Sequence, residues 1–229
     1  MERTFKIQRL TTTAVMLALA TVLAIVCALI PFLNLPFGGG FTIASMLPIV
    51  VISYMYGIKW GLFASFTYSI IQILLDLMLG KGGSVIMAMF MPSSEDYMGL
   101  LAAFSILFID YFIAYTVLGL GGTFRKKIKN KTLSLVLGCV LALGLRYIAH
   151  IISGYIFYGA WAEWFFTQEG FYAIGDAVMN VFHGKMLSLA YSVFYNGLYM
   201  IPEIIITAVA AAVVSVVPQI KLMDERHTK

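Results

Sequence analysis

The chain reads as an all-α integral membrane protein, a single domain of six transmembrane helices (residues 1–229) with both termini on the cytoplasmic side. Three observations predict this. First, 61% of its 229 residues are hydrophobic and only 11% are charged, with a mean hydropathy of +0.93; a soluble domain carries about 25% charged residues. Second, the apolar residues fall into six long runs, and a hydrocarbon core about 30 Å thick takes roughly 20 helical residues to cross. Third, Lys and Arg are distributed unequally between alternate loops.

The six apolar runs follow one another along the chain. The first, Leu10–Phe32, follows Arg3, Lys6 and Arg9. It is longer than the apolar region of a signal peptide and no small-residue cleavage site follows, so it is read as a retained helix. The second covers residues 41–57 and is closed by Gly57. The third, Trp60–Leu79, stops at Gly80-Lys81-Gly82-Gly83. The fourth, Met98–Leu120, stops at Gly121-Gly122. The fifth runs Leu133–Tyr158, and the sixth, Met186–Val217, ends at Pro218. Continuous apolar runs argue for helices, which satisfy their own backbone hydrogen bonds in lipid, and against a barrel of short alternating strands.

With the N-terminus inside, the inner loops and termini hold Arg3, Lys6, Arg9, Lys59, Arg125, Lys126, Lys127, Lys129, Lys131, Lys221, Arg226 and Lys229, twelve in all. The outer side holds only Lys81 and Lys185, and Arg146 lies within a span. That asymmetry orients the chain. The Arg125–Lys131 cluster is accordingly a topology anchor; no nucleic-acid partner is expected. Cys27 and Cys139 lie inside apolar runs and read as core or lipid-facing residues.

Polar side chains within spans carry the functional signal, because an ionisable group at membrane depth is costly. Asp76, Asp110, Arg146, His150, Asn196 and Glu203 lie there, with Tyr68, Gln72 and Tyr191. In the expected topology all but Glu203 lie from mid-depth outward, mostly in the outer half. Glu203 lies deeper and is expected to pair with another helix. Arg146, His150, Gly154 and Tyr158 are four apart and share one face of the fifth helix. Gly154 leaves room beside His150, for a ligand or for close helix packing. Aromatic faces with one acid, Asp110, and an adjacent Tyr111 suit a flat, positively charged heteroaromatic. There is no HExxH, CxxC, GxSxG or phosphate-binding Gly-rich loop, and the three histidines are dispersed. Neither cofactor nor metal is expected, and the chain has no ATPase motif of its own.

Four stretches now carry a resemblance. The strongest is Arg146-Tyr147-Ile148-Ala149-His150-Ile151-Ile152-Ser153-Gly154-Tyr155-Ile156-Phe157-Tyr158. The second is Ala190-Tyr191-Ser192 through Tyr195-Asn196-Gly197 to Tyr199-Met200-Ile201-Pro202-Glu203. The third is Asp110-Tyr111 with Ala114 and Leu118-Gly119. The fourth is Pro36-Phe37-Gly38-Gly39-Gly40, then Pro48. In this order the chain resembles the thiamine-specific substrate-binding subunits (ThiT/YuaJ type) of energy-coupling factor transporters. The resemblance implies a subunit of the bacterial plasma membrane that captures thiamine from outside. It would deliver the vitamin inward with a transmembrane coupling subunit and two cytoplasmic ATPases. It implies polar ligand contacts from Asp110, His150, Tyr191 and Asn196. Tyr158 and Tyr68 stand at positions the family often fills with tryptophan. Tyr111, Gly39 and Gly154 complete the candidate substrate-binding set. Ala14 and Ala18, a small-xxx-small pair in the first helix, would dock on the coupling subunit; packing within the subunit is the alternative.

One departure from the family is the long external connection 159–185. It holds Trp161, Trp164, Phe165, Phe166, Phe171, Tyr172 and Phe182. Phe171, Ile174, Val178 and Val181 have helical spacing and predict a short interfacial helix, serving as an aromatic belt or as a lid. Three other functions are weighed: capture of another small vitamin or a thiamine precursor, an intramembrane enzyme built on His150 and Ser153, and a self-sufficient transporter. The last usually shows internal repeats, and none is found.

Overall fold

The computed structural model describes residues 2–35, 40–79, 90–93 and 97–217. Gly39, the Gly80–Gly83 loop, Pro218 and the C-terminal cations named above lie outside the described residues. The described chain is helical, with eight helices named here: α1 (Glu2–Ala28), α2 (Leu47–Tyr56), α3 (Ile58–Leu79), α4 (Leu100–Gly122), α5 (Lys131–Phe157), α6 (Ala162–Phe166), α7 (Tyr172–Val181) and α8 (Lys185–Val214). Five of these, α1, α3, α4, α5 and α8, are long and apolar enough to cross a membrane.

The expected span at 41–57 differs. Its helix starts only at Leu47 and has ten residues, about 15 Å of rise, half a hydrocarbon core. Two features delay the start. Pro48 fits only the first helical turn, and the backbone N–H of Thr42 is taken by the Glu203 carboxylate. Leu47 through Met55 are all buried, so α2 is enclosed by protein, packed among α1, α3, α4 and α5. The first helix also differs from expectation: it begins at Glu2 and ends at Ala28, where a short 3₁₀ turn at Pro31–Leu33 takes over.

α4 is not one regular helix. It starts as α-helix (Leu100–Ile106), widens to a π-helix (Leu107–Ile113), and tightens to a 3₁₀ helix over Val117–Gly122. Its final glycines allow close approach. A Cβ at Gly119 would lie 2.4 Å from the Leu62 backbone, and one at Gly122 would lie 2.4 Å from the Ser53 carbonyl. Ser53 Oγ donates to the Gly119 carbonyl and accepts from Gly122 N–H, which ties α4 to α2.

The ends of the bundle can be placed from contacts. Arg9 on α1 stacks over the Trp60 ring at 4.0 Å, and Arg125 donates to the Met55 carbonyl at 2.7 Å. Thr132 at the start of α5 bonds Ser215 at the end of α8 at 2.7 Å. The cations at Arg9, Lys59 and Arg125–Lys131 therefore cluster at one end, opposite the 159–185 connection. α5 and α8 pack along their lengths. The girdle left exposed is apolar, for example Val15, Val22, Phe63, Leu101, Ile205 and Val213, as a lipid-facing surface requires.

Candidate functional site

The site is built where α4, α5 and α8 meet. Asp110 sits in the π-helical turn of α4, a geometry that recurs at functional sites. Its two carboxylate oxygens go to two groups on α5: Oδ1 lies 2.8 Å from His150 Nδ1, and Oδ2 accepts from Ser153 Oγ at 2.6 Å. His150 and Ser153 are one turn apart, so a single helix face holds both ends of the carboxylate. With the carboxylate ionised, Nδ1 donates to it, and in the neutral imidazole Nε2 is then the acceptor. Nε2 is buried and has no hydrogen-bond partner in the structure.

Asn196 on α8 joins the same layer. Its amide donates to the His150 carbonyl at 3.2 Å and to the Ser192 carbonyl at 2.8 Å, and its Oδ1 accepts from Tyr199 at 2.5 Å. The Tyr199 ring meets His150 edge-on with centroids 6.0 Å apart. Ser192 Oγ donates to the Ile151 carbonyl at 2.8 Å. Gly154 sits at this crossing: a Cβ there would lie 2.3 Å from Ser192 Oγ and 3.1 Å from the Asn196 amide nitrogen. The helices meet closely at that point.

One turn below His150, Arg146 is buried among neutral partners. It donates to Met46 Sδ at 2.7 Å and to Tyr115 Oη at 3.1 Å, and lies 4.4 Å from the Tyr115 ring centroid. Tyr115 also packs edge-on against Tyr68, 5.7 Å away, and beside Tyr111 at 6.3 Å. Tyr68 is fully buried and donates to the Ala20 carbonyl at 3.3 Å. On the other side, Tyr191, Tyr195 and Tyr199 follow at one-turn intervals along α8, with ring centroids 5.6 and 6.3 Å apart. Tyr158 follows α5 and packs both on the cluster of Ala162, Phe165 and Phe166 and beside Ala103 and Ile106.

Asp110, His150 and Asn196 are thus brought into one connected cluster, with Gly154 at its crossing. Tyr68 and Tyr111 join through Tyr115, Tyr191 through the α8 ladder, and Tyr158 lies where α5 meets the 159–185 connection. Glu203 is held away from this cluster; both its oxygens accept from Thr42 in the segment before α2, the hydroxyl at 2.7 and 2.9 Å. Ala14 and Ala18 are exposed on α1, whereas Ala20 faces the core. Sequence reasoning missed Tyr115 and Tyr199 as site members and considered Ser153 only as the partner of His150 in the enzyme alternative. The four-residue spacings Tyr111/Tyr115 and Tyr191/Tyr195/Tyr199 carried that signal.

Chemically, the cluster offers a carboxylate, an imidazole and several aromatic faces. Ser153, Asp110 and His150 are the residue types of a nucleophilic triad, but the serine hydroxyl donates to the carboxylate and not to the imidazole, which is not the order of such a triad. Among the described residues, no group of three His, Cys, Asp or Glu is arranged to hold a metal.

The family model "Thiamine transporter protein (Thia_YuaJ)" matches residues 10–92 and 94–166. The thiamine transporter ThiT of Bacillus subtilis (strain 168) is 28% identical over 218 residues, 91% of each chain. A solved structure of ThiT from Listeria monocytogenes shares the fold, with a TM-score of 0.58 at 20% identity, covering 94% of this chain and 97% of that one. The chain is a multi-pass membrane protein and belongs to the thiamine transporter family of the ThiT/YuaJ type.

Proposed function

We propose that this chain is the substrate-binding subunit that captures thiamine at the outer face of the plasma membrane with high affinity. It hands the vitamin inward with an energy-coupling factor module: a transmembrane coupling subunit and two cytoplasmic ATPases. The observation that carries this reading is the pairing of half-buried Asp110 with buried His150, whose Nε2 is unpartnered, set among tyrosine rings. A carboxylate complements a thiazolium cation, an imidazole acceptor complements an aminopyrimidine N–H, and tyrosine faces stack on both rings. Tyr191 and Asn196 supply further polar contacts, and Asn196 Oδ1 keeps a second lone pair for them. Tyr158, Tyr68 and Tyr111 supply aromatic surface, and Gly39 belongs to the same set.

The topology proposed is six crossings with both termini inside. α2 and the non-helical segment before it together make the second crossing. Backbone that is not helical is tolerated at membrane depth where protein encloses it, and burial of Leu47–Met55 supports this. Clustering of Arg9, Lys59 and Arg125–Lys131 at one end supports the orientation. Exposure of Ala14 and Ala18 supports their role in docking on the coupling subunit.

The test is direct. The chain is purified in detergent and titrated with thiamine while tryptophan emission is followed, with riboflavin and biotin as controls. Thiamine alone should bind tightly. Asp110→Asn and His150→Ala should each weaken it by tenfold or more, about 1.4 kcal/mol each. Unchanged affinity in both would move the site elsewhere, and preference for an isolated pyrimidine or thiazole would reassign the substrate.

A further inference from the structure

We propose that Ser153 is a positioning residue that sets the preference of the site for a cationic ligand. The inference rests on the reading that Asp110 faces thiamine. Asp110 is half-buried at membrane depth, and among the described residues two groups hold its oxygens: His150 Nδ1 at 2.8 Å and Ser153 Oγ at 2.6 Å. Ser153 itself is 1% exposed, so its hydroxyl has no bulk water to turn to. A donor on each oxygen fixes rotation of the carboxylate about its Cβ–Cγ bond. It also keeps Oδ1 on Nδ1, which fixes the imidazole tautomer and leaves Nε2 as an acceptor. Hydrogen bonds to a charged acceptor are the strong ones. Ser153 therefore acts through Asp110: it touches no ligand atom, yet it holds the negative charge where a ligand cation meets it.

The consequence is specific. Removing the Ser153 hydroxyl should weaken a cation more than a neutral ligand of the same shape. The probes are thiamine and its neutral isostere in which carbon replaces the charged ring nitrogen. Both are titrated against full-length wild-type protein, Ser153→Ala, Asp110→Asn and the double variant. Ser153→Ala should lose about tenfold for thiamine and less than threefold for the neutral isostere. In the Asp110→Asn background it should cost thiamine nothing further, since coupled residues are non-additive. Should Ser153→Ala not fold, Ser153→Cys, close in size and a weak donor, is read in the same way. Equal losses for both ligands, additive losses in the double variant, or unchanged thiamine binding by Ser153→Ala would each overturn the proposal. Failure of the wild-type protein to bind thiamine would overturn the substrate reading beneath it, and the two failures are separated by the wild-type titration.

Discussion

At the scale of single residues, the informative positions are polar groups whose partners lie on other helices. Asp110 and His150 are 40 positions apart and meet at 2.8 Å. Their presence at membrane depth was legible in the sequence, because charge in an apolar run is conspicuous. Their pairing was not, because it depends on the π-helical turn of α4, which rotates Asp110 away from the register an α-helix would give it. Ser153 and Tyr199 were harder to read because neither carries charge: Ser153 stood out only beside His150 in the enzyme alternative and Tyr199 only by its four-residue spacing from Tyr195, and what each touches depends on how the helices pack. Gly154 illustrates a choice that spacing left open. Gly154→Ala would place a methyl group 2.3 Å from Ser192 Oγ, so it should destabilise the α5–α8 crossing by about 1–3 kcal/mol. Thermal unfolding in detergent, followed by circular dichroism, checks this; an unchanged midpoint would show that the crossing has slack.

At the scale of elements, the 159–185 connection is the part whose composition was readable and whose packing was not. The spacing of Phe171, Ile174, Val178 and Val181 predicts a helix, and α7 occupies Tyr172–Val181. Its stripe is not uniformly buried: Val178 is 8% exposed while Ile174 and Val181 are 51% and 69% exposed. The anchor is instead α6, where Phe165 and Phe166 are fully buried. Phe165 packs against Phe171, Tyr191 and Tyr195 with centroids 4.7, 5.2 and 5.8 Å away. Phe166 meets Phe194 at 5.9 Å. Gly175 lets α7 approach α6, since a Cβ there would lie 1.9 Å from the Phe166 carbonyl oxygen. The connection therefore sits on the N-terminal half of α8 through Tyr191 and Tyr195, tyrosines of the candidate site's ladder. Phe165→Ala should loosen it by about 3 kcal/mol, seen as faster proteolytic cleavage near Thr167–Gly170. It should also weaken thiamine through Tyr191. Normal cleavage kinetics would show that the anchor lies elsewhere.

At the scale of the whole molecule, hydropathy and cation bias revealed a helical membrane protein because the bilayer imposes both. Run length alone picks out six segments, of which five are helices long and apolar enough to cross a membrane. Run length could not separate α2 from them, because a helix buried in protein and one facing lipid are equally apolar. The exposed pair Ala14 and Ala18 belongs to this scale too, since it concerns a surface of the assembled subunit. Ala14→Trp and Ala18→Trp should abolish uptake in cells carrying the full transporter while leaving thiamine binding to the purified chain intact. Lost binding would place these alanines in internal packing instead.

The enclosure of α2 has a consequence for how the protein is made. A ten-residue helix with its neighbours on every side has no stable station in a bilayer by itself. It cannot be threaded into the lipid as an autonomous segment when it leaves the ribosome. Its seat exists only once α3, α4 and α5 have arrived, so biogenesis must carry it along and settle it last. A nascent chain halted after Tyr56 should leave this stretch reachable by water-borne labelling reagents, and one extended through Phe157 should hide it.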